Sequence, residues 1–263
     1  MIAAGGPPAL ARSLRGFYIW LVPASDLRPP DRSKPKWIDM TGSLSNMMLV
    51  ISVWALPLLI AITFHEAAHA YVAKLCGDNT AWALGRVSFN PIKHIDPFGT
   101  VLLPLLLLVI QSPFLFGYAK PVPVNFRNLR DPRRDMVLVA AAGPAINLIL
   151  AAVAALAFHV VGYVPGEAGQ WLAQNLVNAL LINVVLAIFN LLPIPPLDGG
   201  RIAVGILPRV LAQPLARVEP YGMLILLGLI FVLPLAGIGI ATQFIAQSSQ
   251  FVVQAILRLT GAA

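Results

Sequence analysis

The sequence predicts an all-α polytopic membrane protein: a bundle of about five to six transmembrane helices, with a re-entrant loop and a short membrane-associated edge strand. Three observations lead there. The chain is 58% hydrophobic and 11% charged, against roughly 45–50% and about 25% in soluble domains. Its apolar residues gather into runs of about 20, the length that crosses a bilayer. Those runs enclose a few ionisable groups, whose burial is expensive unless something compensates.

The elements follow in order. Residues 1–43 are rich in Pro, Arg and Lys and read as a basic N-terminal arm. Within it, "GFYIWLVPA" (16–24) follows Arg12 and Arg15 but is too short and Pro-interrupted for a secretory signal. The core is expected over 44–240, with a first span at 44–75. "FGTVLLPLLLLVIQSPFLFG" (98–117) is apolar but carries Pro104 and Pro113. In "GYAKPVPVN" (117–125), Pro121 and Pro123 alternate and so share one side of an extended chain. Proline confines such a segment to a sheet edge. The expected edge offers free backbone groups at Ala119, Val122 and Val124 for strand addition.

Further spans are expected at 136–162, 171–192 and 221–240. Residues 241–263 make an amphipathic C-terminal helix. It puts Phe244, Ile245, Phe251, Val252, Ile256 and Leu259 on one face, and Gln247, Gln250, Gln254 and Arg258 on the other. Such a helix lies on the membrane or closes the bundle.

The net charge of +7 fits cytoplasmic loops of a membrane protein, so no nucleic-acid partner is expected. The single cysteine, Cys76, rules out an intrachain disulfide and a Cys-based zinc site.

Chemistry concentrates in "HEAAHA". His65 and His69 are four apart and share one face of a helix, where two imidazoles can bind one metal ion beside Glu66. A zinc ion would turn these costly buried groups into ligands. A catalytic zinc takes three protein ligands and keeps one position open. Candidates for the third are Asp198, His94 and Asp96. His94 and Asp96 belong to the loop "NPIKHIDPFGT", where polar residues need no explanation. Asp198 stands in "FNLLPIPPLDGG", at the end of a span where a carboxylate is costly and irregular backbone must line a cavity. Asp198 is the preferred ligand. Asn147, in "GPAIN", reads as a helix-bridging residue, and Gly143 and Ala145 permit close helix approach. His159, near the far end of its span, reads as interfacial.

"HEAAHA", "AAAGPAINL" and "FNLLPIPPLDGG" occur in that order, and together they resemble the site-2 protease family of intramembrane zinc metalloproteases, in its compact prokaryotic branch without a PDZ domain. The likeness runs from about Thr63 to Leu207. It implies that His65, His69 and Asp198 hold zinc, that Glu66 is the catalytic base and that Asn190 lies in the active site. Asn190, two helical turns before Asp198, is then the best-placed donor for the oxyanion or the substrate backbone. The resemblance also implies substrates that are single-span membrane proteins and a multi-pass location in a bacterial inner membrane.

Charge and metal conflict over topology. The 118–135 loop carries Lys120, Arg127, Arg130, Arg133 and Arg134 and is expected in the cytoplasm, whereas 163–170 has no Lys or Arg. If the basic arm were also cytoplasmic and 98–117 crossed the membrane, His69 and Asp198 would lie at opposite faces. One zinc with bonds near 2 Å cannot join them. The first span is therefore expected to run outside to inside, 98–117 to re-enter, and the active site to face the cytoplasm. A zinc transporter would line a neighbouring span with further His and Asp, where this chain has one Asp and no His. A protease with a downstream Glu ligand has only the loop residues Glu167 and Glu219 to draw on. A catalytically inactive zinc scaffold is the remaining alternative.

Overall fold

The computed structural model describes residues 44–102, 106 and 120–262; the N-terminal arm and most of 98–117 lie outside the described residues. Nine α-helices are described: α1 Leu44–Leu75, α2 Thr80–Ala83, α3 Pro132–Ala157, α4 Gly166–Asn190, α5 Asp198–Ile206, α6 Arg209–Val218, α7 Gly222–Leu227, α8 Leu233–Leu235 and α9 Ile240–Thr260. Among the described residues, three stretches are long and apolar enough to cross a membrane: Ile51–Leu75, Pro132–Tyr163 and Gly166–Asn190. Only 33–39% of each is buried. Their outer faces carry exposed Leu56, Leu58, Ile60, Leu138, Ile149 and Val153. An apolar surface of that extent needs lipid rather than water, so this is a multi-pass membrane protein.

Two expectations are met only in part. The run 221–240 is helical only as far as Leu235. It continues unbroken through α7, a π-helical turn at Gly228–Val232 and α8, then turns at Gly237 with φ +80°. From Gly222 to Leu235 it reaches about 21 Å at 1.5 Å per residue, short of the roughly 30 Å hydrocarbon core. Of the expected five to six helices, three are long and apolar enough to cross a membrane among the described residues. The edge strand is also absent there: residues 120–125 pair with no strand. They do alternate, with Pro121, Pro123 and Asn125 exposed and Val122 and Val124 half-buried.

The chain divides into two compact units. One joins residues 44–58 with residues 148–189 and 220–262. Its core is built from Ala151, Ala154 and Ala155 of α3, Val177, Leu180 and Val184 of α4, and Val253 and Leu257 of α9. Helix α9 therefore closes this unit's core rather than lying apart. Its buried row is Ile245, Ser249 and Val253, while Phe244, Phe251 and Leu259 face outward. The expected apolar face is split between protein and surroundings. His159 has a structural partner, its Nε2 lying 2.9 Å from the Thr260 carbonyl.

The other unit joins Leu59–Asn147 with Asn190–Glu219. Here α1 presents a row spaced by four: Ala61, His65, His69 and Ala73, all buried. Small residues in such a row let a second helix approach closely. The second helix is α3, whose row is Val139, Gly143 and Asn147. Helix α3 starts four residues before the expected span, at a capping sequence. Asp131 accepts the Arg134 N–H, Asp135 returns to the Asp131 N–H, and Pro132 occupies the first turn.

The chain then brings in α5. Helix α4 ends at Asn190, and Pro193, Pro195 and Pro196 forbid its continuation. A Cβ on Gly199 would stand 2.2 Å from Leu191 O, and one on Gly200 would stand 2.3 Å from Pro195 N. Only glycine lets the first turn of α5 fold back on its own approach. At the far end, Arg133 Nε donates to Gly205 O at 2.8 Å, and its Nη2 donates to Leu207 O. A cation at a helix C-terminus is favourable, and it pins α5 to α3.

Candidate metal centre

These packings bring three side chains to one point. His65 Nε2 and His69 Nε2 are 3.0 Å apart, and Asp198 Oδ2 lies 3.2 and 3.3 Å from them. All three residues are buried. The expected ligand set is therefore assembled in space from residues more than a hundred positions apart.

The hydrogen bonds around the rings decide the tautomers. The Asn147 amide donates through Nδ2 to Ala61 O at 3.3 Å, which leaves Oδ1 as an acceptor 2.6 Å from His65 Nδ1. His65 therefore donates from Nδ1. His69 Nδ1 donates to the Val139 carbonyl at 2.7 Å. With both protons on Nδ1, both Nε2 atoms carry lone pairs. Two lone pairs and a carboxylate oxygen then converge with no proton between them, and Asp198 Oδ2 has no hydrogen-bond donor. Such a cluster repels itself unless a cation joins it.

Zinc fits this set. Tetrahedral bonds of about 2.0–2.1 Å require donor atoms about 3.3 Å apart, and the observed separations are 3.0, 3.2 and 3.3 Å. Space is kept by Gly143, where a Cβ would stand 2.5 Å from both His65 Cε1 and His69 Nε2. Each ring donates its other nitrogen to an amide or carbonyl, the usual support for a metal-bound imidazole.

The remaining sequence candidates fall as follows. Glu66, half-buried, accepts the Val122 N–H through Oε2 at 2.8 Å. That N–H is therefore not free, as the edge-strand expectation required. Asn190 ends α4, half-buried and eight positions before Asp198. His94 stays out of the cluster: it is buried in its loop with Nε2 2.7 Å from Ser88 O. Asp96 accepts the N–H groups of Phe98 and Gly99 and caps the turn that follows.

Sequence reasoning assigned Asn147 to helix bridging and missed its bond to the His65 ring. The signal was present: Gly143 and Asn147 repeat the spacing of His65 and His69. Nothing in the sequence pointed to the Val139 carbonyl, and the Val122 backbone, singled out there for strand addition, was not matched with Glu66.

The family model of Peptidase family M50 matches residues 53–180 and 159–233. YwhC of Bacillus subtilis, which carries a provisional zinc metalloprotease name, is 43% identical over 182 residues, covering 68% of this chain and 79% of YwhC. Rip2 of Mycolicibacterium smegmatis, provisionally named in the same way, is 30% identical over 184 residues, covering 70% of this chain and 66% of Rip2. A protein of Methanocaldococcus jannaschii with a name of the same kind is 28% identical over 180 residues, covering 65% of this chain and 84% of its own. No solved structure matches the chain.

Proposed function

The chain belongs to Peptidase family M50, a membrane zinc metalloprotease, and from that premise we propose that it hydrolyses peptide bonds within or beside the transmembrane segments of single-span membrane proteins. The observation that carries this reading is the convergence of Asp198 with His65 and His69, the two histidines lying on a helix long and apolar enough to cross a membrane.

His65, His69 and Asp198 hold the metal. Zinc bound there supplies Lewis acidity, activating water and polarising a carbonyl. Glu66 takes the proton from the attacking water and delivers it to the leaving amine. Asn190 is assigned to the developing oxyanion or the substrate backbone. A helical substrate must unwind to expose a peptide bond, and its freed backbone groups then need partners. The extended segment 120–125 is the assigned partner, with Val124 rather than Val122 as the point of strand addition.

The site is assigned to the cytoplasmic side. Arg130 Nη2 donates to Leu75 O at 3.1 Å, so the basic loop sits at the C-terminal end of α1. Lys120 N–H donates to His94 O at 3.0 Å, so the chain leaves at residue 94 and is back at the same place by residue 120. A single crossing would part those ends by about 30 Å; a re-entrant 98–117 would not.

Glu66→Gln tests the reading. The variant retains zinc and loses cleavage of a co-expressed, tagged single-span substrate by about 100-fold or more. Cleavage at the parent rate would end the assignment of Glu66 and, with it, the hydrolytic reading of this site.

A further inference from the structure

Residues 120–125 belong to no helix, yet their backbone is gripped at several points. Lys120 N–H donates to His94 O at 3.0 Å, and Asn125 N–H to Asp78 Oδ2 at 2.7 Å. Between these anchors lies the Val122 N–H, bound to Glu66 Oε2 at 2.8 Å. The remaining grip comes from Arg86. Its Nη2 donates to Lys120 O at 2.7 Å and lies 3.4 Å from Pro121 O. The two carbonyls flank Pro121, so both peptide planes around that residue are held.

Arg86 is only 9% exposed and forms no ion pair among the described residues. A buried guanidinium directed at loop carbonyls is expensive without a compensating role. The geometry supplies one. Pro121 O and Val122 N–H belong to a single rigid peptide plane. The Arg86 guanidinium sits on the oxygen of that plane and the Glu66 carboxylate on its hydrogen. A cation at the carbonyl end polarises the peptide and strengthens the N–H as a donor. Planarity carries the restraint from one end to the other.

We propose that Arg86 is a positioning residue for Glu66: it locks the Pro121–Val122 peptide, whose N–H holds the Glu66 carboxylate in one orientation. The inference rests on the reading of Glu66 as the general base.

The test uses the full chain, purified in detergent with zinc, and a tagged single-span peptide that the parent cleaves. Arg86→Gln lowers kcat by about 10–100-fold, a part of what a general base contributes, with KM within about twofold and zinc content unchanged. Arg86→Lys recovers part of the loss, since an ammonium still reaches Lys120 O. Val122→Pro removes the N–H itself, and the double variant loses no more than the worse single one, because both changes break one linkage. Backbone hydrogen exchange over 120–125 rises in Arg86→Gln, a readout independent of turnover.

A raised KM with kcat intact would overturn the proposal and make the segment a substrate clamp only. Lost zinc in Arg86→Gln would overturn it too, marking Arg86 as general scaffold, as would effects that multiply in the double variant. If Glu66→Gln is inactive while Arg86→Gln is normal, this inference alone fails. If Glu66→Gln is fully active, the underlying reading fails.

Discussion

Asn147 Oδ1 stands 2.6 Å from His65 Nδ1, and the same amide holds Ala61 O through Nδ2. One fully buried side chain on α3 thus sets the ring orientation and the tautomer of a ligand on α1. Asn147→Leu removes the acceptor without adding charge. Zinc affinity is expected to fall by about 10–100-fold, measured by competition with a calibrated chelator. Parent-like affinity would show that His65 needs no such support.

Purified protein is expected to carry about one zinc per chain, as a three-ligand site implies. Asp198→Ala takes away one of the converging donors and leaves two histidines. Metal analysis should then show a marked loss of zinc, with loss of activity. Normal zinc and full activity in that variant would remove Asp198 from the centre.

Gly143→Ala separates helix propensity from site geometry. In a helix interior alanine is favoured over glycine by about 1 kcal/mol. The new Cβ, however, would stand 2.5 Å from His65 Cε1 and His69 Nε2. Zinc content and cleavage should fall together. At Gly162 a Cβ meets nothing within 4 Å, and Gly162→Ala is expected to behave as the parent. Equal behaviour of the two variants would contradict the close approach of α3 to the ligands.

Asp78 gives the protein an acid-sensitive anchor. Burial pushes its carboxyl pKa up, but hydrogen bonds from the Thr80 hydroxyl, the Asn128 amide and the Asn125 and Thr80 N–H groups outweigh this and hold it below the usual carboxylate range. A depressed folded pKa contributes stability that is present above the unfolded value, about 3.9, and is lost as pH falls through the lower folded one. The melting temperature in detergent should therefore drop as the medium is taken below about pH 4. In Asp78→Asn the melting temperature at neutral pH should be lower and the acid dependence shallower. An unchanged acid slope in the variant would place the sensitivity elsewhere.

Topology is open to cysteine labelling in a Cys76→Ala background. Leu84, 63% exposed, is a suitable probe for the loop after α1, whereas Arg86 is buried. Leu84→Cys and Arg130→Cys should both react from the cytoplasmic side. Reaction from opposite sides would show that 98–117 crosses the membrane and would contradict the meeting of residues 94 and 120.

The sequence by itself determined the solvent of this protein and the heart of its site. A chain 58% hydrophobic and 11% charged is far more apolar than a soluble domain, and three of its apolar runs are, among the described residues, the helices long enough to cross a membrane. His65 and His69 were legible because their spacing is a property of one helix, and Asp198 because a carboxylate in an apolar setting asks for a partner. The early end of the helix within 221–240 was not legible. Its composition matches a span, yet the helix ends at Leu235, ahead of the turn at Gly237. Nor was the inward face of α9, because lipid and protein core are equally apolar and hydrophobicity cannot tell Val253 from Phe251. The tautomer of His65 and the partner of Glu66 belong to tertiary structure alone. Asn147 reaches His65 across 82 positions and Val122 reaches Glu66 across 56. A backbone N–H that any residue but proline would offer acquires its role only where folding has put it.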